Sequence, residues 1–285
     1  TSRSGGQGVA LNRNILYKSQ ERKTVLTPAQ VAHYETFGFL LLRRIFTPAE
    51  IANITCEANQ IWRDDLERQP DENPYQIVVP FVEERPRLAQ LPEDDRIYLP
   101  IVDLLGSGFV WGGSEGHKGS FTERNLLQWH SDRPDTIGVH YARIKVMMYL
   151  QPLQKQTGAL RVIPGSHHMP FRQHLRALHQ GMDGSAQNDT SLRTFGVPGP
   201  DLPCHPLEVQ PGDVVMFNDH LFHAVYGKQD GRSFITLKFV KFAAEPRTEE
   251  HFEILRANDG GFGLLHEAFR GSQRPRIRDM VEKLR

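Results

Sequence analysis

The chain has 285 residues, 34 of them Lys or Arg and 34 Asp or Glu, so its formal net charge is zero. That balance supplies no overall field toward nucleic acid or an anionic membrane surface, and the length suffices for a domain with a sizeable core. Two cysteines, Cys56 and Cys204, make neither a disulfide framework nor a Cys-x-x-Cys metal site, which points to a reducing, cytoplasmic setting.

No apolar run reaches bilayer length, and no signal-peptide pattern stands at the start. Residues 1–25, opening on Thr1-Ser2-Arg3-Ser4-Gly5-Gly6, read as a disordered leader or N-terminal extension, with a single domain over 26–285. Thr27-Pro28-Ala29-Gln30 and Thr47-Pro48-Ala49-Glu50 are two helix starts of one design. Threonine caps, proline takes the first helical position, and Gln or Glu three residues on closes a capping box. The first helix should stop near Gly38, with a short buried strand at Phe39–Arg43. In the second, Ile51, Ile54, Ala58, Ile61 and Trp62 recur on one face, to about Glu67.

Residues 67–96, with many Pro, Asp, Glu and Arg, read as a long surface excursion. From about Ile97 the pattern turns to strands, near residues 97–105, 123–129, 142–150, 159–163, 205–209, 214–218 and 233–242. A second excursion covers 165–204, with a helix near Phe171–His179. Connections that long are usually lids or binding loops. Short runs of Val, Ile, Phe and Tyr broken by Gly, Pro and Asp give a mainly β chain with flanking helices. The core expected is an antiparallel jelly roll, not a parallel sheet.

The chemistry concentrates in two places. His130 and Asp132 follow the run Leu126-Leu127-Gln128-Trp129. Side chains two apart on a strand leave the same face. Imidazole plus carboxylate is two thirds of the facial triad that holds non-heme iron(II) with open positions. The structural alternative is a buried His–Asp hydrogen bond within a sheet. Downstream, Gln210-Pro211-Gly212-Asp213 suits a type II turn. It leads through a buried β-rich run to a histidine where the strand ends, His220 or His223, and then to a second strand opening with Arg232. A guanidinium there is a fork of donors suited to a co-substrate carboxylate. Asp135 would replace Asp132 only if the chain turned sharply at Pro134.

These segments resemble the phytanoyl-CoA dioxygenase family of iron(II)- and 2-oxoglutarate-dependent oxygenases. The matching stretches are Leu26-Thr27-Pro28 through Phe46-Thr47-Pro48-Ala49-Glu50, then Trp129-His130-Ser131-Asp132, then Thr157-Gly158-Ala159-Leu160-Arg161-Val162-Ile163-Pro164-Gly165-Ser166-His167. Gly212-Asp213 through His223, and Arg232, complete the order. The resemblance implies a double-stranded β-helix with Fe(II) on His130, Asp132 and His223. It also implies 2-oxoglutarate and O2 as co-substrates, and Arg232 on the outer carboxylate. Halogenating relatives lack the carboxylate, so Asp132 implies oxygenation of a C–H bond in a small organic substrate.

Weaker candidates complete the set. Lys145, Met147 and Tyr149 alternate and should share a face, which makes Lys145 a second co-substrate contact if that face is inward, or a snorkelling lysine if not. Gln128 and Asn125 are candidates for the inner carboxylate. Arg161, Arg172, Arg176 and Arg193, with His174 and His179, lie in or beside the expected lid as contacts for an anionic substrate, or else as a solvated face. His167 and His168 shape a turn. A cupin-like isomerase or hydrolase and a non-catalytic binding module on the same fold are the competing classes. No nucleic-acid or membrane partner is expected.

Overall fold

The computed structural model describes residues 24–68, 75–119, 128–132, 142–178, 190–227, 230–242 and 267–284. Both capping boxes form. Thr27 caps α1 (Pro28–Phe37), its side chain accepting from Gln30 N–H while Gln30 Oε1 accepts from Thr27 N–H. Thr47 and Glu50 do the same for α2 (Pro48–Arg68). Gly38 ends α1 with φ 83°, and β1 (Phe39–Leu42) follows. The N–H groups of Val25 and Leu26 both donate to Asp103 Oδ2 at 2.9 Å.

Two expectations fail between 67 and 105. The stretch read as a surface excursion contributes β2 (Tyr75–Val78) and two 3-10 turns, with Phe81, Val82 and Leu88 fully buried. The stretch read as a strand from Ile97 is α3 (Asp95–Leu105), capped by Asp94. Ile97, Ile101 and Leu105 fall four apart and line its buried side. Pro100, inside this helix, is what disguised it.

A strand the sequence hid comes next. In β3 (Val110–Gly119) a bulge between Trp111 and Ser114 interrupts the pairing. A side chain on Gly116 would run into the Phe81 ring, so the glycine makes room for that aromatic. The remaining strands are β4 (Arg143–Tyr149), β5 (Thr157–Val162), β6 (His205–Leu207), β7 (Val214–Asn218), β8 (His223–Gly227) and β9 (Arg232–Val240). All pairings are antiparallel, in a large sheet ordered β1-β7-β4-β9-β3-β2 and a small one ordered β6-β5-β8.

The fold is mainly β with flanking helices, the jelly roll expected. One face of the large sheet, with Ile144, Val146, Met216 and Leu237, packs on Ile54, Trp62, Ile97 and other helical residues. Its other face, with Met147, Tyr149, Phe217 and Phe234, meets Leu160, Val162 and Val225 of the small sheet. Among the described residues no helix is long and apolar enough to cross a membrane.

The turn before β7 forms as read. Asp213 N–H donates to Gln210 O at 3.0 Å, and Gly212 takes φ 100°, which suits glycine at the third position of a type II turn. Its carbonyl accepts from Ile45 and Phe46 N–H at 2.8 and 3.0 Å, and a Cβ there would collide with the Phe46 carbonyl. Gly212→Ala is therefore expected to destabilise the chain by about 1–3 kcal/mol. In urea unfolding the midpoint should fall with the slope unchanged.

Candidate metal centre

The site forms where the short segment 128–132 meets the small sheet. His130 and His223 exchange both backbone hydrogen bonds, His130 N–H to His223 O at 3.0 Å and His223 N–H to His130 O at 2.8 Å. This is an isolated antiparallel bridge, not part of a longer strand. Residues facing each other across such a bridge project to the same side, and the two rings lie 4.2 Å apart between centroids. Just beyond it the chain bends, and Asp132 N–H donates to Asp219 O at 3.1 Å. Most of the strand expected over residues 123–129 lies outside the described residues; at 130–132 the chain is a bridge followed by a bend, so Asp132 faces the histidines through that bend rather than from one strand. His223 opens β8 rather than closing a strand.

Second contacts fix the tautomers. His130 Nδ1 donates to Gln128 O at 2.7 Å, and His223 Nδ1 donates to Leu221 O at 2.9 Å. In each case the proton on Nδ1 leaves Nε2 as a lone pair, the usual way a ligand imidazole is oriented. Those Nε2 atoms lie 3.8 Å from Asp132 Oδ1 and 3.6 Å from Asp132 Oδ2, respectively. The three residues offer ligand atoms that all fall within 4.8 Å of one another. Burial, with His130 beside it, pushes the His223 imidazole down to about 4, so the ring is neutral near pH 7. Burial opposes the Asp132 charge, yet the Lys145 ammonium beside it holds its carboxyl well below the usual range. Two imidazoles and one carboxylate are a donor set that fits a divalent cation.

The support behind this loop is charged and buried. Arg143 Nε donates to Asp219 Oδ2 at 2.6 Å. Arg172, only 2% exposed, donates to Ser131 Oγ at 3.0 Å and to the His220 carbonyl. Arg172 therefore ties the metal-site loop to the turn before β8 instead of facing a ligand. Arg161 is corrected in the same sense. It lies opposite Ala224 on β8, on the face opposite His223 and Val225, and donates to Pro200 O at 2.6 Å. The segment read as a lid covers this outer face, where Leu175 and Leu178 pack with Phe222, Ala224 and Tyr226. Its helix is Phe171–His174, followed by a 3-10 turn at Arg176–Leu178. Arg176 and Arg193 are exposed on that cover.

His220 stands apart from the cluster, its Nδ1 3.3 Å from Asp219 Oδ1. His167 and His168 both donate through Nε2 to Glu35 O, at 3.2 and 2.7 Å, and so dock their turn on α1. Asn125, Asp135 and His179 lie outside the described residues. The backbone carbonyl of Gln128 holds His130, a role its side-chain assignment did not foresee.

The inner face of the large sheet supplies cations. Arg232, 1% exposed, donates from Nε to Gly158 O at 3.1 Å, with its guanidinium 4.6 Å from the Phe234 ring centroid. Lys145 Nζ lies 2.9 Å from Asp132 Oδ2. His117 stacks on the Phe234 ring that lies under the Arg232 guanidinium, and its partner Glu115 takes Lys238, which pairs in register with Lys145, so these groups share one interior. His117 and its partner Glu115 are polar groups that sequence reasoning missed. The alternation in Ser114-Glu115-Gly116-His117 was their only signal, and surrounding glycines obscured it.

The chain matches the family model Phytanoyl-CoA dioxygenase (PhyH) over residues 34–228. It is 24% identical over 204 residues to an ectoine dioxygenase of Bordetella bronchiseptica, covering 67% of this chain and 65% of that relative. The chain thus spans a little under two thirds of the length of the curated relatives it matches. Among solved structures it is similar to HygX from Streptomyces hygroscopicus with nickel and 2-oxoglutarate bound. That match has a TM-score of 0.58 at 21% identity over 75% of this chain and 87% of the other. It is also similar to EctD from S. alaskensis with bound Fe, with a TM-score of 0.55 at 20% identity over 78% and 83% of the two chains.

Proposed function

We propose, from the premise that this chain belongs to the phytanoyl-CoA dioxygenase family, that it is an iron(II)- and 2-oxoglutarate-dependent oxygenase of a small organic molecule. The observation that carries this reading is the convergence of His130 Nε2, His223 Nε2 and the Asp132 carboxylate, with both tautomers set by backbone carbonyls. The nickel and 2-oxoglutarate in HygX and the iron in EctD support the same pair of cofactors here.

In this reading the three residues hold iron on one face and leave other positions open. Iron with 2-oxoglutarate and O2 supplies oxidation of a substrate C–H bond, with 2-oxoglutarate leaving as succinate and carbon dioxide. Arg232 pairs with the outer carboxylate of 2-oxoglutarate as a buried fork, and Tyr149 and Phe234 around it exclude water. Lys145 is the second cation for that co-substrate. The catalytic unit runs from 26 to 285. With unpaired cysteines and a ferrous requirement, it belongs in a reducing cytoplasm, acting on a small molecule rather than nucleic acid.

Adding ferrous iron and 2-oxoglutarate without oxygen is expected to give a weak visible charge-transfer band, and admitting air should release succinate. A chain that binds iron but gives neither signal would instead be a Lewis-acid metalloenzyme or a silent binding module.

A further inference from the structure

The inner face of the large sheet carries more charge than three ligands and one anchoring arginine require. Lys145 on β4 pairs in register with Lys238 on β9. Lys238 is ion-paired with Glu115 Oε1, and His117 Nε2 lies 3.2 Å from Glu115 Oε2. Both oxygens of Glu115 are therefore engaged. Lys145 instead reaches the triad, with its Nζ 2.9 Å from Asp132 Oδ2, the same oxygen that faces His223 Nε2 at 3.6 Å.

That oxygen is contested. An ammonium and a divalent cation both seek it, and like charges this close repel strongly in a partly buried site. A lysine on a flexible four-carbon stem is free to swing away. Once it does, the mouth holds excess positive charge that an incoming anion relieves.

We propose that Lys145 is an exchangeable counter-ion. It holds Asp132 in the metal-free chain, is displaced when a divalent cation takes that oxygen, and then binds a carboxylate of 2-oxoglutarate, so that metal and co-substrate bind cooperatively and in that order. The identity of the anion rests on the oxygenase reading above. The exchange rests on the Lys145–Asp132 contact itself and on Glu115 being already occupied.

The test uses the full chain stripped of metal, with Ni2+ in place of oxidisable iron, and Lys145→Met, which keeps the stem and removes the charge. In calorimetric titrations Lys145→Met should bind Ni2+ alone about tenfold more tightly than the unmodified chain. Its nickel-loaded form should bind 2-oxoglutarate about tenfold more weakly, within the usual range for coupled sites. The opposite signs are diagnostic. A lysine with only a structural role weakens both or neither, and either result overturns the proposal. Tighter nickel with unchanged 2-oxoglutarate also overturns it, since the displaced ammonium then goes elsewhere, such as to Glu115. Lys145→Gln in the same titrations guards against a folding defect in the methionine variant. For both variants the nickel-induced rise in Tm should exceed that of the unmodified chain. If the unmodified chain binds neither nickel nor 2-oxoglutarate, the oxygenase reading falls as well. If it binds both and the variants do not part in sign, only the counter-ion role falls.

Discussion

Asp132→Ala is expected to abolish 2-oxoglutarate-dependent succinate release and to lower divalent-metal affinity by at least about a hundredfold. Losing a partner that merely orients a ligand already costs about 10–100-fold, and here the anionic ligand itself goes. What remains is two imidazoles that converge without a carboxylate between them. The substitution also leaves the Lys145 ammonium beside the site with its nearest anion removed, so metal binding then meets uncompensated repulsion. His130→Ala should lose the same activity while keeping the Asp132–Lys145 pair, and its metal affinity should fall less. Nickel titration followed by an aerobic succinate assay separates the two. An Asp132→Ala chain with undiminished metal affinity would move the metal centre away from these residues.

Arg232→Ala is expected to raise the Kd for 2-oxoglutarate by about a hundredfold while leaving metal affinity in the absence of 2-oxoglutarate unchanged. Truncating one member of a buried charged pair typically costs about 2–5 kcal/mol, and about 1.4 kcal/mol is a factor of ten. The guanidinium is held in place before any ligand arrives, by Gly158 O and by the Tyr149 and Phe234 rings, so little ordering is needed on binding. Arg232→Lys keeps the charge but not the fork and should recover only part of the loss. The contrast with Lys145 is the useful one, since Arg232 should act on the co-substrate alone and Lys145 on both partners. An Arg232→Ala chain that binds 2-oxoglutarate normally would place the outer carboxylate elsewhere.

The parts of the fold that were legible carry their signals locally. Thr-Pro-x-Gln/Glu spelled both helix starts because capping chemistry lies within four residues. Pro211-Gly212 spelled the turn, and the β7 run Val214–Asn218 appears as read. Illegible elements depended on partners distant in sequence. Gly116 stands in β3 because Phe81 occupies the space a side chain would need, and that approach spans more than thirty residues. α3 carries a proline inside a short apolar run, so it reads locally as one of the strand-like runs around it. At the site, the residue types and their order were readable, and the family resemblance picked His223 over His220, whereas the bridge to His130 that holds it in place appears in no local pattern. The arginines misled for a related reason. Arg161 and Arg172 looked like surface charge in a loop, but each is consumed by backbone carbonyls exposed by irregular chain.

The reciprocal bridge between His130 and His223 has one more consequence. Facing residues in antiparallel pairing switch sides with every one-residue slip, so misaligning these two segments by a single position would turn one imidazole away from Asp132. A misregistered chain would therefore bind metal poorly, and only the correctly aligned one would gain stability from a tightly bound ion by mass action. On this view the cation proofreads the topology: loading selects the molecules whose distant segments have found the right alignment.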